Sequence, residues 1–190
     1  ELKEAVTNIS HDLRTPLTAI CGYLELLERE DKSEAAARYL EYIGERAEAM
    51  RRLTEELFCY SVILAPESAP ELERGDLRAV LEKSLAGAYP KLMERGIAPE
   101  VDMPDAPVYC MMNEAAASRV FGNVLSNAVK YSSGDLAVRL TADGEAEFAN
   151  TAPGLDDVQV GRLFERFFTV EAARGSTGLG LSIARTLMEQ

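Results

Sequence analysis

Apolar residues in the first part of the chain return at alternating intervals of three and four: Leu2, Val6, Ile9, Leu13, Leu17, Ile20, Leu24 and Leu27. That spacing draws one stripe along one helix, expected to end near Glu28. The charged run Arg29-Glu30-Asp31-Lys32-Ser33 interrupts it, and Asp31 or Ser33 can cap the next helix. A second stripe, Ala36, Leu40, Ile43, Ala47, Met50, Leu53, Leu57, Tyr60 and Leu64, predicts a helix to about Ile63. Two long helices joined by a short turn form an antiparallel hairpin. Each stripe is too long for a hairpin alone to cover on both sides, so two hairpins are expected to pair as a dimeric four-helix bundle.

The period is lost at Ala65-Pro66-Glu67-Ser68-Ala69-Pro70 and through the acids up to Gly75, which reads as a linker. The division expected is a hairpin over 1–64, a linker over 65–75 and a second domain over 76–190. In that domain the pattern predicts a helix Leu77 to Arg95, strands near Ile97 to Val101 and Val108 to Met112, and a helix Glu114 to Lys130. A β-hairpin comes next, Leu136 to Thr141 and Ala146 to Ala149, turned at Ala142-Asp143-Gly144-Glu145. Helices near Val160 to Phe168 and Leu179 to Glu189 complete a mixed α/β domain without internal repeats.

Composition narrows the partners. Over 190 residues, 20 Lys and Arg stand against 32 Asp and Glu, a net charge of -12, which argues against nucleic acid because phosphate binding needs clustered cations. Cys21, Cys59 and Cys110 form no CxxC pair and have one histidine for company, so neither a disulfide framework nor a zinc site is expected; they read as small core residues in a reducing compartment. The uncharged run Leu57 to Pro66 is too short to span a bilayer. The chain opens within a helix at Glu1, and a longer parent is expected, anchored in a membrane only through a segment before Glu1.

The single histidine, His11, lies roughly 195° around the helix from the middle of the first stripe, on a face shared with the small residues Thr7, Thr15, Thr18 and Gly22. An exposed surface histidine is the plain alternative. Small neighbours nevertheless leave room for a macromolecule to reach the ring, Asp12 can accept a ring proton, and a neutral imidazole is a competent nitrogen nucleophile. Pro16 cannot donate to the Asp12 carbonyl, so a bend is expected one turn beyond. The stretch Ser10-His11-Asp12-Leu13-Arg14-Thr15-Pro16-Leu17-Thr18 closely resembles the phospho-acceptor box of two-component sensor histidine kinases.

Two further stretches carry chemistry. On the helix Ser118 to Tyr131, Phe121, Val124, Leu125 and Ala128 form an apolar face, with Asn123, Asn127 and Lys130 about 140° away. Two amide oxygens hold Mg²⁺ weakly unless phosphate oxygens complete the shell, which points to a Mg²⁺-nucleotide and not a resident metal. Gly175-Ser176-Thr177-Gly178-Leu179-Gly180-Leu181 opens the last helix, where glycines permit close backbone approach and the helix end favours phosphate. It lacks the Gly-Lys-Ser/Thr of a P-loop and comes after no strand, which disfavours both that motif and the dinucleotide fingerprint.

Asn123-Val124-Leu125-Ser126-Asn127-Ala128-Val129-Lys130-Tyr131-Ser132 resembles the N box of the same kinases, the glycine run their second glycine box, and Phe164-Glu165-Arg166-Phe167-Phe168 their F box. The F-box phenylalanines themselves read as a core aromatic pair. The resemblance implies an α/β sandwich of Bergerat type, a mixed sheet with helices on one face, binding ATP with Mg²⁺. It implies His11 as nucleophile, Asp12 as general base, Asn123 and Asn127 around Mg²⁺, Lys130 on phosphate, and Tyr131 and Asn150 at adenine. It further implies that Gly154, Gly178 and Gly180 line the nucleotide, and that Val170 to Thr177 is a lid from which Arg174 reaches a phosphate. The phosphoryl group would pass from His11 to an aspartate on a response-regulator receiver domain. Thr15 matches the position that orients water for dephosphorylating the regulator, a second activity.

One box departs. Where the family has Asp-x-Gly-x-Gly, this chain has Asn150-Thr151-Ala152-Pro153-Gly154, and only Gly154 survives as written. A neutral acceptor at 150 forfeits charge assistance on the order of 1 kcal/mol, about fivefold in affinity. Beside the kinase, Asn150 and Ala152 motivate one alternative, a degenerate kinase that dimerises and docks a regulator without using ATP; a further one, a gyrase-like or chaperone-like ATPase, explains the later boxes but leaves the His11 stretch without a purpose. The resemblance also implies one or two strands after the last helix, so the sheet is expected to have an open edge.

Overall fold

A computed structural model describes residues 2–28, 30–63, 71–170 and 177–189; the side chains of 2–12, 14, 28 and 59–63 lie outside that description. The chain divides into two compact units, Glu1–Ser68 and Ala69–Gln190.

The first unit is the hairpin. Helix α1, Leu2–Glu28, continues through Pro16, and α2, Glu34–Ile63, packs along it. Ser33 caps α2, its hydroxyl accepting from the Ala36 N–H at 3.3 Å. Leu17, Ala47 and Thr54 are buried, the Thr54 hydroxyl donating to the Met50 carbonyl at 2.9 Å. The stripes divide into covered and uncovered lines. Leu13, Ile20 and Leu27, seven apart on α1, are 41%, 43% and 46% exposed, and Ile43 and Met50 on α2 are about half exposed. A period of seven left uncovered by the partner helix is the pattern of a coiled-coil seam. Cys21 is a free, half-buried thiol and not a core residue, as is Cys110 in the second unit; the Cys59 side chain lies outside the described residues.

The second unit begins with β1, Glu73–Asp76, antiparallel to β3, Tyr109–Met112, with Glu73 opposite Met112 and Asp76 opposite Tyr109. The acids read as linker up to Gly75 are therefore partly strand. Four residues without an apolar alternation carry no strand signal of their own; the ladder with β3 supplies it. Asp76 fixes the corner, accepting from the Arg78 N–H as N-cap of α3 (Leu77–Glu94) and from the Val108 N–H, both at 3.1 Å.

The larger sheet is mixed. β2, Ala98–Asp102, runs parallel to β4, Asp135–Leu140, and β4 pairs antiparallel with β5, Ala146–Ala149. Among the described residues β5 pairs with β4 alone. Along β4, Leu136, Val138 and Leu140 are buried while Asp135, Ala137 and Arg139 are exposed, so one face is covered. The cover is α3 and α4, Glu114–Tyr131, whose Val80, Leu81, Leu85, Phe121, Leu125 and Ala128 join β4 in one core; α6, Gly180–Met188, packs on α4. Each fully buried leucine here contributes about 2 kcal/mol from apolar burial.

The segment expected as a helix from Val160 to Phe168 instead contains α5, Asp157–Arg162, with a capping box between Asp156 and Gln159. Its F-box phenylalanines are not a core pair: Phe164 and Phe167 are 47% and 59% exposed. The reason is local. Phe167 takes φ +61°, which ends any helical continuation, and Phe168 lies beneath the Arg162 guanidinium, 4.5 Å from the ring centroid. The aromatic pair in the core is Phe121 with Phe148, centroids 5.8 Å apart.

Candidate nucleotide site

Helix α4 sets the position of the polar residues. Asn113 caps it, its side chain accepting from the Ala116 N–H at 3.0 Å, and burial of Phe121, Leu125 and Ala128 fixes its rotation. Asn123, Asn127 and Lys130 are consequently held half-buried on its flank. The Asn123 Nδ2 is buried with no hydrogen-bond partner among the described residues. An unmet buried donor costs about 1–3 kcal/mol, a penalty removed by an acceptor brought in from outside the protein.

The first turn of α6 comes against the same asparagine. A Cβ built on Gly180 would lie 3.5 Å from Asn123 Oδ1, so the glycine keeps the α6 end and the amide close with nothing between them. Leu179, fully buried, and Ile183 press α6 onto the core. At its N-terminus no side chain caps α6, which leaves first-turn N–H groups and the positive helix end for an anion. Gly178 takes φ +71°, and its carbonyl accepts from the Phe167 N–H at 3.0 Å, tying the glycine and phenylalanine stretches together. The Thr177 hydroxyl accepts from the Leu179 N–H at 3.2 Å. Arg174 lies outside the described residues, as does most of the segment expected as a lid.

The loop after β5 is held by a residue that the sequence pattern did not single out. Asp135 accepts from the Thr151 N–H at 3.0 and 2.9 Å, and from the Thr151 hydroxyl at 2.8 Å. The Ser132 hydroxyl reaches the same carboxylate at 3.2 Å, and the Ser133 N–H donates to the Thr151 carbonyl at 2.9 Å. These bonds, those from Thr151 first, hold the Asp135 carboxyl below the usual aspartate range. The available signal was the Ser-Ser-Gly-Asp turn, in which Gly134 takes φ +124° and short polar side chains bond to nearby backbone. The clamp ties the end of α4 to the start of the loop, with Asn150 exposed between the strand and Thr151, and Gly154 at φ +88°.

An open cavity of about 590 Å³ is lined by Glu100, Asp135, Ala137, Ala149, Asn150 and Thr151, among others; of the expected site residues it includes Asn150 alone. Tyr131 is half-buried at the end of α4. In the hairpin unit His11, Asp12 and Thr15 all fall on α1; Thr15 is exposed, and the side chains of His11 and Asp12 lie outside the described residues.

Among the described residues there is no group of three or more His, Cys, Asp or Glu able to hold a metal ion. The donors present suit a metal that arrives with phosphate: two amide oxygens one helical turn apart, beside a lysine and an unmet amide N–H. No described helix is long and apolar enough to cross a membrane.

Comparison with known proteins places both units. Residues 1–63 match the His Kinase A (phospho-acceptor) domain, and residues 112–190 match the histidine kinase-, DNA gyrase B- and HSP90-like ATPase. The chain is 28% identical over its whole length to sensor histidine kinase YcbM of Bacillus subtilis, spanning 64% of that protein. It is 33% identical over 98% of its length to the phosphate regulon sensor protein PhoR of Pseudomonas aeruginosa, spanning 44% of it. Among solved structures, the histidine kinase AdeS of Acinetobacter baumannii matches with a TM-score of 0.63 at 25% identity, covering 94% of this chain and 86% of that one.

Proposed function

The chain belongs to the sensor histidine kinases, with a phospho-acceptor domain followed by an ATPase domain, and from that premise we propose that it phosphorylates its own His11 from ATP and passes the group to a response regulator. The observation that carries the nucleotide half is the buried Asn123 Nδ2, without a hydrogen-bond partner among the described residues, set against the uncapped first turn of α6.

The residues in place divide the work. Asn123 and Asn127 offer amide oxygens to Mg²⁺, Lys130 and Arg174 take phosphate charge, and the α6 N-terminus with Gly178 and Gly180 gives backbone N–H groups to phosphate oxygens. Tyr131 and Asn150 meet the base, and Gly154 lets the loop turn beside it. Mg²⁺, when bound with the nucleotide, spreads the negative charge of the phosphates. The neutral ring nitrogen of His11 attacks the γ-phosphorus; an N–P bond forms as the β–γ bridging oxygen leaves with ADP, and Asp12 accepts the proton from the opposite ring nitrogen. On a receiver domain the reverse exchange takes place: an aspartate oxygen takes the phosphoryl group and the imidazole regains its proton.

The uncovered seven-residue lines of α1 and α2 support a homodimer in which two hairpins close into a four-helix bundle. The free cysteines and the family support a location on the cytoplasmic side of a bacterial plasma-membrane sensor.

Thr15, exposed one turn beyond His11, is assigned to orienting the water that dephosphorylates the regulator. Thr15→Ala is expected to leave autophosphorylation unchanged and to slow dephosphorylation of a receiver domain by about a hundredfold or more, the usual weight of one positioned catalytic group. Equal loss of both activities removes the assignment. The replacement of the family's aspartate by Asn150, with Ala152 beyond it, favours one other reading: a dimeric docking scaffold that binds a regulator and turns over no ATP. Calorimetric titration with MgATP separates the two, since a scaffold gives no heat.

A further inference from the structure

Asn150 combines a fixed place with a free side chain. Its neighbour Thr151 is pinned through N–H, hydroxyl and carbonyl by Asp135 and Ser133, so the backbone that carries Asn150 is held against α4. The Asn150 carboxamide itself makes no hydrogen bond among the described residues and is exposed at the border of the open cavity. Asp135, which lines the same cavity, is engaged in holding the loop and accepts from Thr151 and Ser132.

The change from carboxylate to carboxamide alters what can be read. An ionised carboxylate only accepts hydrogen bonds: it suits the amino group at C6 of adenine and repels an oxygen there. A carboxamide carries an acceptor and a donor side by side, and a half-turn about its last torsion exchanges them. In one setting the oxygen accepts from the C6 amino group while the N–H donates to N1 of adenine. In the other, the N–H donates to a C6 oxygen and the amide oxygen accepts from the N1–H of a 6-oxopurine. No protein partner of Asn150 among the described residues holds either setting, and the pinned backbone keeps the amide in place for both.

We infer that the nucleotide site takes 6-oxopurine nucleotides as well as adenine nucleotides, with Asn150 as the residue that sets this breadth. The inference rests on the assignment of Asn150 to the base in the proposed function.

Titration calorimetry of the whole chain with MgADP and with MgIDP tests it, inosine being chosen because it changes position 6 and N1 without adding a 2-amino group. The expected result is two dissociation constants within about tenfold of one another. Asn150→Asp, equal in size and on an exposed position, should tighten ADP through regained charge assistance and deprive IDP of the donor to its C6 oxygen, moving their ratio by about fivefold or more. A wild-type preference for ADP beyond about tenfold, or a ratio that Asn150→Asp moves by less than about fivefold, overturns the inference and leaves the nucleotide site standing. Heat from neither nucleotide in the wild type overturns the site assignment itself, and the inference with it.

Discussion

A His11→Gln chain is expected to bind MgADP with wild-type affinity and to take no phosphoryl label from γ-labelled ATP. Glutamine is close to histidine in length and a better helix former, so α1 persists. Its amide nitrogen has no free lone pair, and the chain holds no second histidine to take its place. The residues assigned to the nucleotide all belong to the other unit, Ala69–Gln190. Transfer and binding should therefore separate completely. Label retained in the variant would contradict the assignment of His11, and steady ATP turnover without it would favour a gyrase-like or chaperone-like ATPase.

Gly178→Ala is the next largest effect expected, and it acts on the other half. At φ +71° the backbone of residue 178 is left-handed, a conformation that costs a non-glycine residue about 1–2 kcal/mol. The added methyl would also lie 2.5 Å from the Phe167 carbonyl carbon and 2.7 Å from the Phe168 carbonyl oxygen, backbone atoms that no side-chain rotation can clear. Phe167 is itself left-handed at φ +61° and donates to the Gly178 carbonyl, so the strained phenylalanine is held by the glycine opposite it. The variant must break that contact or shift the first turn of α6 away from Asn123. MgADP affinity is expected to fall by about tenfold or more, a loss of about 1.4 kcal/mol, with the melting temperature of the ATPase domain also lowered. Wild-type affinity in Gly178→Ala would show that the glycine stretch does not shape the nucleotide site.

Much of this architecture could be read from periodicity. The hairpin helices end within a residue or so of their expected limits because two long stripes of apolar residues leave little freedom, and α4 is where Phe121, Leu125 and Ala128 require it. The features that escaped have a common cause, which is dependence on a distant partner. β1 is charged and four residues long, and it exists as a strand through its ladder with β3. The exposure of Phe164 and Phe167 comes from a left-handed turn that no hydrophobic pattern announces. The Asp135 clamp joins residues 16 apart across the β4–β5 hairpin, and a lone aspartate in a Ser-Gly turn does not say which backbone it will hold. The residues assigned to the nucleotide stand out as motifs, whereas the unmet Asn123 donor among the described residues and the approach of Gly180 emerge only from the packing of α4 with α6.

In the proposed reaction an ATPase domain delivers the γ-phosphoryl group to one imidazole on the hairpin. Incubating the wild-type chain with MgATP labelled at the γ position and then testing the bound label in acid and in alkali measures this directly, because a nitrogen-bound phosphoryl group is lost in acid and survives alkali. The account predicts one such label, located at His11. No label, or one that survives acid as a hydroxyl ester would, contradicts it.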